Sequence, residues 1–240
     1  MSEYNHLIQF YGNNHTIGFT TFNTFSEEDK KRIKLMLKNI QAFERPDMYS
    51  KVGNDVYIIE HFAFDASKRT RKGMSGIKEE NALEQRISDN TSENEIIDKA
   101  VYSIDKKSFQ KNFEDVFEQH YKKVDNYIEN LKINKIIDNE DKVHFGMFVE
   151  NIYPPLYEDW GNGDPYFVGE LLYFSTMQFY DFLESKDRLN FILFGCIYNQ
   201  SHQLFYINPS DRGGNLIDLE NDSIVFSKLN ENEMAWAYSS

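Results

Sequence analysis

The sequence predicts an α/β domain in which helices flank a mixed central sheet, and three observations predict it. A capped amphipathic helix precedes a short β-branched run, residues 106–133 carry a continuous helical stripe, and an almost wholly apolar run at 189–198 is followed across a turn by a second strand. The chain has 240 residues with 40% hydrophobic and 27% charged side chains, enough to bury a core. No internal repeat and no Pro-rich linker divides it, so a single domain over 1–240 is the simplest organisation.

The first 25 residues, LIQF and TIGFTTFNTF around Gly12-Asn13-Asn14, suit two short strands about a turn, because Thr, Ile and Phe fit a pleated surface. Ser26 before Glu27, Glu28 and Asp29 marks a helix start, with a hydroxyl for the free N–H groups and acids at the positive end of the dipole. The helix is expected to run to about Ile40, with Ile33, Met36, Leu37 and Ile40 on one face, and Pro46 and the residues after it break it. After a turn at Lys51-Val52-Gly53-Asn54-Asp55, the run Val56-Tyr57-Ile58-Ile59 is too short for a buried helix and favours a strand ending at Glu60.

Residues 67–95 turn polar, with Gly73, Gly76 and SDNTSENE, and predict a mobile loop around one short helix near 77–87. In the helix at 106–133, Phe109, Phe113, Val116, Phe117, His120, Tyr121, Val124, Ile128 and Leu131 form the apolar stripe. His120 on that face is read as a hydrogen-bonded core residue in preference to a metal ligand. Val143 to Glu150 alternates as a strand, Leu171 to Leu183 reads as helical, and Leu189 to Tyr198 is a central strand. Asn199-Gln200-Ser201-His202 turns it back into antiparallel Leu204 to Ile207, with a peripheral strand or tail beyond.

Charge and motifs narrow the function. The formal charge is −13, with −9 of it in residues 151–240, which opposes a large nucleic-acid footprint. The only dense basic cluster is Lys68-Arg69-Thr70-Arg71-Lys72, either a solvated loop or a phosphate contact. No stretch approaches a membrane span and MSEYNHLIQF lacks a basic start followed by an apolar run, so the chain is expected to be cytoplasmic, away from membranes. The one cysteine, Cys196, allows neither an intramolecular disulfide nor a Cys-built zinc site and is expected to be inert in its strand. Phosphate-loop, dinucleotide, nucleophile-elbow and H-E-x-x-H motifs are all absent.

What remains is Glu44-Arg45-Pro46-Asp47, a turn, and a strand carrying Glu60, His61 and Asp65. Adjacent strands with one carboxylate each can aim both at a single hard cation, and oxygen ligands suit Mg²⁺ with waters completing its shell. A glutamate inside an apolar strand is costly to bury without a partner. An alternative set adds His61 and His144 around Zn²⁺ or Mn²⁺, although Glu60 and His61, as strand neighbours, face opposite ways. In the plainest reading the same acids are strand-end residues and Asp47 caps a turn.

At these residues the sequence resembles the PD-(D/E)xK nuclease superfamily, the restriction-endonuclease-like fold: a helix, then Pro46-Asp47, then a strand ending in Glu60. The resemblance implies a nuclease that hydrolyses phosphodiesters with Mg²⁺ or Mn²⁺, Asp47 and Glu60 on the metal and Glu44 as a further acid. It also implies a lysine two positions after the glutamate; Phe62 stands there, leaving Lys68 or Lys72 to serve from the neighbouring loop. Lys68, Arg69, Arg71 and Lys72 would meet nucleic acid. The missing lysine leaves open an inactive relative of such a nuclease, and the rival class is an acidic non-catalytic protein that reuses the fold and binds a protein partner through its −9 C-terminal portion or an aromatic patch.

Overall fold

The computed structural model describes residues 3–12, 17–19, 24–65, 69–70, 73–74, 96–102, 106–153, 157–159, 165–168, 174, 176–198, 201–212 and 232–238. In chain order these form α1 (Glu3–Gly12), β1 (Gly18–Phe19), α2 (Glu27–Lys38), β2 (Ile40–Ala42), β3 (Met48–Val52) and β4 (Asp55–Asp65). Next come β5 (Arg69–Thr70), β6 (Gly73–Met74), β7 (Ile96–Tyr102), α3 (Lys106–Tyr121), α4 (Val124–Ile133) and β8 (Lys142–Tyr153). The chain closes with β9 (Tyr157–Asp159), β10 (Pro165–Val168), α5 (Met177–Leu183), β11 (Leu189–Tyr198), β12 (Ser201–Ile207) and β13 (Asn232–Tyr238). No helix among the described residues is long and apolar enough to cross a membrane.

The architecture is α/β. A seven-stranded mixed sheet runs in the order β1-β12-β11-β8-β4-β3-β2. The meander β2–β3–β4 is antiparallel, α3 and α4 cross over to β8 parallel to β4, and β11 joins parallel to β8. Three separate two-stranded ladders pair β9 with β10, β7 with β13 and β5 with β6.

Side-chain alternation along β4 explains the two cores. Val56, Ile58, Phe62 and Phe64 belong to the cluster that holds Phe113 and Phe117 of α3, Tyr127 and Leu131 of α4, and Phe179 of α5. Tyr57 and Ile59 point the other way, into a cluster with Leu7 and Phe10 of α1 and Ile33, Met36 and Leu37 of α2. Helices therefore cover both faces.

Several sequence expectations change. LIQF is helical, not a strand: Leu7, Phe10 and Tyr11 are all buried at i, i+3, i+4 spacing, and packing of that stripe overrides β propensity. The expected strand at TIGFTTFNTF is described only as the two residues of β1. α2 starts as expected: Ser26 Oγ accepts from Asp29 N at 3.1 Å and Asp29 Oδ2 accepts from Ser26 N at 3.2 Å, a reciprocal cap. It ends at Lys38, within two residues of the expected end near Ile40, because Ile40 already pairs with Ser50.

β4 does not stop at Glu60. It runs to Asp65, since Phe62 and Phe64 prolong the buried face, and Glu60 is a mid-strand residue. The helix at 106–133 is two helices broken at Lys122 and Lys123, and the helix expected over 171–183 is confined to Met177–Leu183. β11 and β12 pair antiparallel as expected, with Tyr198 against Ser201. The expected helix at 77–87 and most of the expected loop at 67–95 lie outside the described residues, which include only the β5–β6 pair there.

Close packing on the sheet makes one substitution informative. A Cβ on Gly146 would stand 2.3 Å from the ring of Phe191, itself buried and stacked on Tyr206. Gly146→Ala is expected to destabilise by about 1–3 kcal/mol, read as a lower denaturant midpoint at unchanged slope.

Candidate functional site

Strands β3 and β4 bring the two predicted acids together. Met48 pairs with Ile59, so one step beyond that ladder Asp47 stands beside Glu60, on the face that carries α3 and α4. Both line an open cleft of about 860 Å³, together with Arg45, His120, Lys123 and Tyr127.

Glu60 is only 5% exposed. Its Oε1 accepts a short hydrogen bond from the Tyr127 hydroxyl, and His120 Nδ1 lies 2.8 Å from the same oxygen. Burial first, then the hydrogen bond and charge of Glu60, push the Tyr127 phenol up, which keeps it a proton donor. Oε2 is buried and has no hydrogen-bond partner among the described residues. An unpartnered carboxylate oxygen is expensive to keep dry, and at a cleft wall it is where a cation or a proton belongs.

Asp47 Oδ2 accepts the backbone N–H of His61 at 2.8 Å. That bond lowers its pKa but is outweighed: burial first and the charge of Glu60 second raise it from 3.8 to about 6, with Glu3 of α1 adding to the rise. Two carboxylates facing one cleft repel each other until positive charge arrives.

The backbone positions the cleft's cations. Arg45 takes φ 71°, in the left-handed region that non-glycine residues enter at a cost of about 1–2 kcal/mol, and Asn130 Nδ2 donates to its carbonyl at 3.1 Å. Lys123 is the residue at which α3 gives way to α4, and that break sets it on the cleft wall.

The other predicted residues are distributed differently. Glu44 is exposed in the loop before Pro46, neither on a helix nor on the cleft wall. Phe62, at the family's lysine position, is buried against Phe113, Phe117 and the His120 ring. The side chains of Lys68, Arg69, Arg71 and Lys72 lie outside the described residues. His61 and His144 do not join the two acids. The His61 imidazole approaches Glu150 Oε1 at 2.6 Å, with His6 3.4 Å from the same oxygen, and His144 pairs with Asp55 at 2.6 Å. Among the described residues no group of three His, Cys, Asp or Glu side chains is arranged to hold a metal ion.

His120 is hydrogen-bonded as expected of a histidine on an apolar face, and its partner is Glu60. Tyr127 and Lys123 were not anticipated. On the single helix expected over 106–133 Tyr127 follows His120 by seven residues and would share its face, and this was the available signal. Compared with known proteins, the chain matches no family model and has no significant similarity to a curated protein or a solved structure.

Proposed function

We propose that this cleft binds a divalent cation between Asp47 and Glu60 and hydrolyses phosphodiester bonds, in the manner the PD-(D/E)xK resemblance implies. The observation that carries the reading is the buried, unpartnered Oε2 of Glu60 beside a second carboxylate on the wall of an open cleft. Two hard carboxylates fit Mg²⁺ or Mn²⁺, which keep waters in their remaining positions. Asp47 follows α2 and β2, and Glu60 lies on β4 after β3, so the acids keep the helix, acid, strand, acid sequence that supports a restriction-endonuclease-like reading of the sheet.

When bound, the cation supplies a water of lowered pKa and offsets charge on the phosphate. The chain's own groups do the rest. Tyr127 and His120 fix the Glu60 carboxylate through one oxygen and leave the other for the ligand, the role of outer partners at metal sites. Asp47 is held by the His61 amide. Lys123 and Arg45 stand where a phosphate oxygen would need cations, so Lys123 takes the part of the lysine that Phe62 displaces, alongside Lys68 and Lys72.

Phe62 favours a second reading, in which the cleft binds cation and phosphate without cutting and the chain is an acidic interaction protein. Divalent-ion titration by calorimetry and cleavage assays on single- and double-stranded DNA and RNA separate the two. Saturable Mg²⁺ or Mn²⁺ binding with cleavage that drops about a thousandfold in Glu60→Gln and Asp47→Asn is the expected result. Binding without cleavage selects the second reading. No saturable binding discards both.

A further inference from the structure

A second, smaller cavity of about 180 Å³ lies on the other face of the sheet, at the end where β4, β8 and β11 begin. Arg32 of α2, Tyr57, His144, Asn190, Phe191 and Tyr206 line it. We propose that this cavity binds a small oxyanion, a carboxylate or phosphate on a compact body, held by Arg32 and the hydroxyls of Tyr57 and Tyr206.

The hydrogen-bond inventory carries the inference. Tyr57 is 6% exposed and its hydroxyl is buried with no partner among the described residues. A native fold seldom leaves such a group unpaired. Burial raises the pKa of both phenols, against the opposing charge of Arg32, so both stay protonated donors. The acceptor side chains around them each already take hydrogen bonds from other groups. Asp29 Oδ2 takes Ser26 N and Oγ, and its Oδ1 takes Arg32 at 3.2 Å. Asn190 Oδ1 takes Phe145 N at 2.9 Å and Asn208 Oδ1 takes Ser210 N at 3.1 Å. None of these acceptors reaches the Tyr57 hydroxyl, so the cavity holds an unused buried donor beside a guanidinium that Asp29 engages through Nη2, and an anionic acceptor fits that pair.

The walls set its body. Tyr57 stacks on His144 with centroids 4.8 Å apart, and Phe191 stacks on Tyr206 at 5.7 Å. The space equals the liquid volume of about six waters, enough for a small ring or short chain bearing the anion.

Calorimetry on the full chain in EDTA, with inorganic phosphate in one arm and benzoate in the other, tests this and shows which oxyanion the cavity takes. At least one probe is expected to bind saturably, about tenfold or more weaker in Arg32→Gln and roughly fivefold weaker in Tyr57→Phe. Asp47→Asn leaves this binding unchanged, so failure here and failure of the cation cleft are separate results. The melting temperature of ligand-free Tyr57→Phe should equal or exceed that of the parent, since the substitution deletes an unpaired hydroxyl. The proposal is overturned by absence of saturable binding of either probe, by affinity indifferent to both substitutions, or by a lower melting temperature in Tyr57→Phe.

Discussion

Asp47→Asn is expected to stabilise the protein at pH 8 and to leave its stability unchanged near pH 3. Burial and the neighbouring Glu60 raise the Asp47 carboxyl from 3.8 to about 6, so the fold holds this proton more tightly than the unfolded chain does. The sign follows from linkage. Below the unfolded value both states are protonated and nothing is lost; between about 4 and 6 only the unfolded chain ionises freely; above 6 the native state carries the full cost of the charge. A displacement of this size corresponds to about 3 kcal/mol, and partial solvent access reduces it to about 2 kcal/mol. Asparagine keeps an oxygen for the His61 amide and removes the charge. Melting curves at several pH values check this: the variant's advantage should grow through that window, and an equal difference at every pH rules out the electrostatic cause. Greater stability together with lost cation binding would mark the site as one that spends stability on function.

Phe113→Ala is expected to cost about 3–5 kcal/mol. Phe113 is fully buried, and its ring lies within 6.2 Å of six others: Phe62 and Phe64 of β4, Phe117 of α3, Phe174 ahead of α5, and Phe179 and Phe182 of α5. No small shift can close the gap, because the neighbours sit on three different elements and are themselves rigid rings. Urea unfolding followed by near-ultraviolet dichroism should show the midpoint fall, whereas Phe113→Leu, which keeps most of the volume, should lose markedly less. Equal stability of the alanine variant would mean that the aromatic cluster is loosely packed.

Local signals in the sequence account for the elements that came out as expected. Ser26 with its acids defines the start of α2, and the apolar run at 189–198 with a short turn defines β11 and β12, because each signal is carried by a few neighbouring residues. α1 is illegible for the opposite reason: its amphipathic stripe is stabilised by distant partners, among them Phe148 of β8, Leu193 of β11 and Leu204 of β12, well over 100 residues away. Within the candidate site, Asp47 and Glu60 were legible as a proline-flanked acid and an acid inside an apolar strand. Tyr127 and His120, which orient Glu60, come from helices 60 and more residues further on, and only the crossover from β4 to β8 brings them under the strand.

The sheet's outermost strands are its shortest. β2 contributes three residues and β1 two, while the long apolar strands β4, β8, β11 and β12 lie between them. At the β2 edge of the seven-stranded sheet the open row of amide and carbonyl groups is only three residues long, a poor template for another molecule to extend by backbone pairing.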